Sequence, residues 1–573
     1  MPQVETPGSP HWFSAVEAPE RVARADAVRW DAEADLVVVG YGGAGVAAAL
    51  AAAEGGLSVT ALDLADGGGS TAINGGIVYA GGGTVTQKQA GVEDSSDAMF
   101  EYLRGETQGV VSDATLRRFC DGSVEMMDWL ARHGVRFDAT HYPHKTSYPP
   151  PGYHLYHSDS SLVASRAAIA RPAARGHKVW SEGSAKVATG FGKAMTGPLQ
   201  ASAVKAGVRF EPYSEVRRLL QDDSGRVIGV GVLQFPENSE VLRRYAQLQA
   251  QATKFVLMLP PAFPLAGLTL AIAGWYRRRA QALESQRVLR RIRARRGVCL
   301  AAGGFVFNPR MVGHYAPKYR DGMPLGNPGD DGSGIRLGQS AGGATRRMSH
   351  MSAWRFIRPP AGLTWGVVVN GRGARFTDET VYGAAIGFEM IEHHGGKAWI
   401  VLDQALYDEV LRQVKSKDLY SFQSGPAMLA LRFARNRAAT LDGLATACGF
   451  DAATFRDTVA RYNAAAAGQG EDAFGKSPDD RRPIAQAPFY AVDISVTSRL
   501  FPLPILSLGG LAVDEGTGAV QRDNGSAIPG LYAAGRNAIG VCSHLYVSGL
   551  SVADCIFSGR RAAASAVATH PIG

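Results

Sequence analysis

From Asp35 to Asp63 the chain runs from an apolar stretch through a glycine loop and an alanine-rich stretch to a second apolar stretch, an order few folds accept. Asp35-Leu-Val-Val-Val-Gly40 predicts a buried strand, Val46-Ala-Ala-Ala-Leu-Ala-Ala-Ala53 a helix, and Leu57-Ser-Val-Thr-Ala-Leu62 a second strand ending at Asp63. Between strand and helix lies Gly40-Tyr41-Gly42-Gly43-Ala44-Gly45. Without side chains, the N–H groups of such a loop approach a diphosphate closely, and the helix N-terminus adds partial positive charge. Asp63, 23 residues past Gly40, stands where an acid accepts hydrogen bonds from ribose hydroxyls. The expectation is an α/β, Rossmann-like parallel sheet that binds a dinucleotide.

The segments that follow favour FAD. Gly67-Gly-Gly-Ser-Thr-Ala-Ile-Asn-Gly-Gly76 and Gly81-Gly-Gly-Thr84 pass close to a flat ring system, with Gly69, Ser70, Thr71, Gly75 and Gly76 as candidate contacts. Near the other end, Ile528-Pro-Gly-Leu-Tyr-Ala-Ala-Gly535-Arg536 leads to Gly549-Leu550-Ser551-Val552, which opens the alanine-rich helix Ser551 to Ala568. That N-terminus can stabilise negative charge on a reduced flavin. Other strands are expected at Arg226 to Leu233, Val298 to Gly304 and Gly530 to Gly535, and helices near Gln404 to Val414 and Asp451 to Ala466. A chain of 573 residues is too long for one core. Five scattered cysteines without a C-x-x-C pair suggest a reducing, cytoplasmic setting. The first twelve residues lack the features of a secretion signal.

These motifs resemble the flavoprotein family of succinate dehydrogenase and fumarate reductase, to which the 3-ketosteroid dehydrogenases also belong. The resemblance covers about residues 35 to 565 apart from one insertion. It implies an FAD domain over about 1–310 and 496–573, with an inserted α+β catalytic or cap domain over about 311–495. It also implies FAD bound through Gly40, Gly42, Gly45, Asp63, Ser70, Thr71, Gly76, Val216, Gly535, Gly549 and Val552. Relatives with covalent flavin carry a histidine near Gly69, so non-covalent FAD is expected. Dicarboxylate reductases of the family carry a histidine before Met-Gly-Gly and an arginine ahead of Arg-Phe-x-x-Glu. Here Ile505-Leu-Ser-Leu-Gly-Gly510 puts Leu506 at the first position, and Pro360 to Trp365 supplies no arginine at the second. A desolvated carboxylate without a cation is costly, so a dicarboxylate substrate is disfavoured.

Aromatic and phenolic residues stand instead: Trp354, Phe356, Leu363, Trp365, Tyr382 after Arg375-Phe-Thr-Asp-Glu379, and the loop His544-Leu-Tyr-Val-Ser548. That loop resembles the Tyr-x-Ser loop of ketosteroid Δ4-(5α)-dehydrogenases more than the Tyr-Pro-Gly loop of the Δ1 type. The resemblance implies desaturation of the C4–C5 bond of a 5α-reduced 3-ketosteroid, or the reverse, with hydride to flavin N5 and a proton to a tyrosine. Such chemistry needs a base for the α proton and a donor to the ketone oxygen. Tyr546 is the expected base, its pKa lowered by neighbours, with Ser548 and Tyr382 polarising or relaying. The alternatives are a Δ1-dehydrogenase, a reductase of another non-carboxylate enone, and an electron-transfer subunit of a larger complex.

The net charge of +8 comes from one place: nine arginines lie between Arg277 and Arg296 against the single acid Glu284. They follow Phe255 to Tyr276, which has no charge but is interrupted by Pro260, Pro261 and Pro264. A straight membrane span is not expected. The reading is an insertion at about 236–296 whose Phe255–Arg296 part anchors monotopically to an anionic membrane surface, on the inner face of the cytoplasmic membrane. Nucleic-acid binding is disfavoured, because the basic run abuts an apolar stretch. His141, His144, His154 and His157, without acidic or cysteine co-ligands, suggest a loop folded over the flavin or the substrate entrance rather than a metal site. The electron donor or acceptor is not identifiable from the sequence.

Overall fold

A computed structural model describes residues 5–181, 190–237, 239–255, 264–416 and 418–570. Its centre is a nine-stranded sheet that includes Ala32–Val39, Val59–Leu62, Arg209–Glu211, Glu215–Gln221, Val227–Gln234, Val288–Leu300 and Ala527–Ala533. Ala32–Val39 runs parallel to both Val59–Leu62 and Val288–Leu300, and the latter runs parallel to Ala527–Ala533. This is the expected strand, loop, helix, strand unit. The helix Gly43–Glu54 is buried on nearly every side, which is why it is almost all alanine. The terminal helix Leu550–Ala568 packs against it so closely that a β-carbon at Gly559 would lie 2.4 Å from the Ala44 carbonyl oxygen. Small side chains are what permit that approach.

A second unit supplies the other wall of the site. Val367–Asn370, Ala398–Leu402, Phe489–Asp493 and Arg435–Ala438 form a four-stranded antiparallel sheet, flanked by helices that include Gln404–Val414 and Ala452–Ala466. It is held to the loop after Asn370 by a buried ion pair: Arg375 meets Glu379 at 2.8 Å and Asp472 at 2.5 Å. A third sheet joins Ile77–Tyr79, Gly176–Lys178, Leu155–His157 and His141–Lys145. The histidine-rich stretch is therefore not the loop expected from sequence. Its ends are strands, because Leu155 and Tyr156 bury against Gly176 and His177. Only the residues between them form a connection, and there Tyr148 donates to the Gly75 carbonyl at 2.8 Å.

The arginine run also corrects its sequence reading. Arg287 through Arg296 are not part of an insertion, because Val288–Leu300 pairs with Val227–Gln234 from Gln234 opposite Val288 onward. Several of these arginines meet acids on neighbouring strands while remaining partly exposed. Arg287 pairs with Glu215 at 2.8 Å, Arg291 with Glu20 at 3.0 Å, and Arg295 with Glu33 and Asp35 at 3.0 Å each. Arg296 donates to the Val567 and Thr569 carbonyls at the end of the terminal helix. What stands outside the sheet is a helical pair, Glu240–Lys254 and Pro264–Gln281. The apolar residues 256–263 between them lie outside the described residues. Among the described residues, no helix is long and apolar enough to cross a membrane.

Candidate active site

The dinucleotide cradle forms where Ala32–Val39 ends. Gly40 adopts φ +95°, and a β-carbon there would sit 2.6 Å from the Ala301 carbonyl oxygen. One at Gly45 would overlap the Gly40 carbonyl. Gly42 caps the helix Gly43–Glu54 and brings no side chain to its orphan N–H groups. Thr71 Oγ1 accepts from the Gly43 N–H at 3.1 Å, while Ala44 and Gly45 complete the turn. A first helical turn whose N-cap residue brings no side chain fits a diphosphate.

Around that turn the remaining predicted residues converge. Gly69 begins the short helix Gly69–Ile73, and a β-carbon on it would lie 3.2 Å from Gly42 Cα, so the two glycine segments touch. Asp63 is placed as expected, but both its carboxylate oxygens already accept backbone N–H groups, from Tyr41 at 2.6 Å and Ala65 at 2.8 Å. Its carbonyl accepts from the Ser214 N–H at 2.7 Å, and Val216 lies two residues on, in the strand Glu215–Gln221. Ser70 donates to Asp330 at 2.6 Å, and Arg536 donates to the same oxygen at 2.7 Å. Gly76 and Gly535 both take positive φ, and the Gly535 N–H is held by Ser558 at 2.9 Å. Gly549, at φ +87°, caps the terminal helix without a side chain, and Leu550, Ser551 and Val552 form its first turn. A β-carbon on Gly549 would lie 2.7 Å from the Tyr79 nitrogen. Two uncapped helix N-termini thus open beside the glycine segments.

Directly ahead of Gly549 lies a buried cluster of phenols. Tyr382 and Tyr546 bury together with Leu506 and Leu508, walled by Trp354 and Phe356. Trp354 lies over Tyr546 with ring centroids 4.8 Å apart, and Phe356 stands edge-on to Tyr382 at 5.5 Å. Tyr382 is the N-cap of the helix Gly383–His393, and its backbone N–H donates to Ser160 Oγ at 2.9 Å. Ser548 Oγ is 3.0 Å from the hydroxyl of Tyr156. Tyr156 was not singled out from sequence. It comes from the third sheet, 392 residues from Ser548 in the chain, and no local signal marks it. Lys145, on the neighbouring strand, was missed too. Its ammonium lies 5.8 Å from the Tyr382 ring.

Burial decides the resting state of these groups. It raises the phenols of Tyr156, Tyr382 and Tyr546 well above the ordinary tyrosine value. The expected lowering of Tyr546 is therefore corrected: the phenol rests protonated. Two influences oppose that burial at Tyr546, the Gly549 N–H and the nearby Arg536 guanidinium, and both stabilise the ionised form. Tyr382 has only the Ser548 hydroxyl in that role and faces two other phenols. Leu506 is buried in the cluster, so the wall at that position is apolar.

Comparison with known proteins places the chain in a family. The family described as FAD binding domain matches residues 35–549. The 3-oxo-5-alpha-steroid 4-dehydrogenase of Comamonas testosteroni is 38% identical over 90% of this chain and 94% of its own length. A 3-oxosteroid 1-dehydrogenase of Mycobacterium tuberculosis is 27% identical over the same shares. Among solved structures, a 3-ketosteroid-Δ4-(5α)-dehydrogenase from Rhodococcus jostii, crystallised with 4-androstene-3,17-dione, superposes with a TM-score of 0.79 at 30% identity. It covers 96% of this chain and 100% of that one.

Proposed function

The chain belongs to the FAD-binding family of oxidoreductases, and from that premise we propose that it is a 3-ketosteroid dehydrogenase acting on the C4–C5 bond of 5α-reduced 3-ketosteroids. The observation that carries the reading is the buried phenol cluster at the start of the terminal helix, whose N-cap Gly549 brings no side chain. Supporting it, the relative at 38% identity is a Δ4-(5α) enzyme, while the Δ1 enzyme stands at 27%. An apolar pocket with a few convergent hydroxyls suits a steroid ketone and offers nothing to a dicarboxylate.

FAD would be held by Gly40 to Gly45, Asp63, Gly69 to Thr71, Gly75, Gly76, Val216, Gly535 and Gly549 to Val552. Gly69 offers no side chain for a covalent link, which supports non-covalent binding. When bound, FAD supplies the acceptor for the hydride leaving the β carbon. The residues of the chain handle the proton and the ketone. Tyr546 takes the α proton, its ionised form favoured by the Gly549 N–H and Arg536. Tyr382 and Ser548 donate to the ketone oxygen as charge builds there, and Tyr156 holds the Ser548 hydroxyl in place. Trp354 and Phe356 keep water away from the reacting bond.

The helical pair suggests a peripheral contact with an anionic cytoplasmic leaflet. Leu268, Leu270 and Trp275 are exposed on Pro264–Gln281, which continues into Arg277, Arg278 and Arg279. The acceptor that reoxidises the flavin is a separate redox partner.

Turnover of 5α-androstane-3,17-dione with an artificial electron acceptor tests the assignment. Tyr546→Phe should lower kcat by about 10²- to 10⁴-fold while flavin content is kept. Activity within twofold of wild type would remove Tyr546 from the reaction.

A further inference from the structure

Behind the Tyr382 ring a cavity of about 150 Å³ opens between the third sheet and the second unit, lined by Lys145, Arg358, Tyr142, Tyr148, Gln413 and Asp418 among others. Its wall carries two cations, Lys145 and Arg358, against one carboxylate, Asp418. The Lys145 ammonium is buried and, among the described residues, has neither a hydrogen-bond partner nor a carboxylate within ion-pair distance. The second cation, Arg358, reaches Asp480 at 3.3 Å and remains partly exposed. An ammonium out of water without an acceptor is unstable, and burial lowers the Lys145 pKa to about 7, a shift that a bound anion would oppose. Tyr142 and Tyr148 give the cavity aromatic faces along which a hydrocarbon chain can lie.

We propose that this cavity is an anion subsite that takes a carboxylate carried on the side chain of the steroid, so that the preferred substrates are 3-ketosteroids with an acidic side chain. The proposal rests on the ketosteroid reading above. Lys145 supplies the buried charge, and Arg358 adds a second cation at the mouth. The Lys145 ammonium lies 5.8 Å from the centre of the Tyr382 ring, so the subsite and the phenol cluster are neighbours, and the proposal requires the substrate to extend from one to the other. A ketone oxygen could accept a hydrogen bond from Lys145 but would leave its charge uncompensated, which is why the acid is favoured.

The test compares kcat/KM for three substrates on the flavin-loaded enzyme. They are 5α-androstane-3,17-dione, a 3-oxo-5α-steroid whose side chain ends in a carboxylate, and the methyl ester of that acid. Wild type should prefer the acid over the ester by tenfold or more. Lys145→Met should cut that acid-to-ester ratio at least tenfold through KM, and Lys145→Arg should restore much of it. Equal use of acid and ester by wild type would overturn the subsite, as would an equal effect of Lys145→Met on all three substrates. If Lys145→Met does not fold, wild type alone carries the test: the acid should compete with the dione at least tenfold more tightly than the ester, and equal competition overturns the proposal. Failure to turn over any of the three would instead remove the ketosteroid reading, whereas turnover of the dione without acid preference removes the subsite alone.

Discussion

At the scale of single residues, the site works by burial opposed by a few directed contacts. Tyr546 must be ionised to take a proton, and burial holds its phenol above the usual value of about 10. Below that raised value the ionised fraction grows tenfold with each pH unit. Dehydrogenation should therefore show kcat/KM rising with slope near +1 in a log plot from neutral to alkaline pH. The reverse reduction, which needs the protonated phenol, should not fall over that range. A flat dehydrogenation profile would assign the proton to another group. The linkage to stability has the opposite sense. The raised phenols favour the folded state below about pH 10, and above it unfolded tyrosines ionise while Tyr156, Tyr382 and Tyr546 resist, so stability falls. Tyr382, Tyr546 and Ser548 were legible because they sit beside motifs. Tyr156 and Lys145 were not, since they reach the pocket by pairing in a small sheet whose order no local pattern announces.

Elements decide where those residues can stand. The glycine loop was readable because its constraint is local: at φ +95° and 2.6 Å from the Ala301 carbonyl oxygen, position 40 accepts little but glycine. Gly40→Ala adds strain of about 1–3 kcal/mol and a backbone clash, and should yield protein without flavin, read as lost visible absorbance. Retention of flavin would show that the loop is not the diphosphate cradle. The arginine run was misread because charge was counted along the chain, whereas Glu20, Glu33, Asp35 and Glu215 neutralise it across strands. The helical pair then becomes separable. Gln234 lies opposite Val288, so replacing residues 240–281 by a short linker should keep the sheet and the flavin. It should abolish co-sedimentation with anionic vesicles, if the pair contacts membrane. Equal sedimentation before and after the deletion would locate any membrane contact elsewhere.

For the whole molecule, the sheet with its two uncapped helices and the second unit with its aromatic wall meet at one pocket, between Gly549 and Tyr382. The parallel sheet was legible as an ordered run of motifs. The meeting of the units was not, because the contacts that close the pocket join residues hundreds of positions apart. With the similarity to Δ4-(5α)-dehydrogenases, that meeting point supports the proposed reaction: loss of a proton and a hydride across C4–C5 of a flat, apolar ketone. The most direct measurement is anaerobic mixing of the flavin-loaded protein with stoichiometric 5α-androstane-3,17-dione, following flavin absorbance and identifying the steroid afterwards. Bleaching of the flavin together with appearance of the 4-ene-3-ketone is the predicted result; no bleaching, or a 1-ene product, would contradict it.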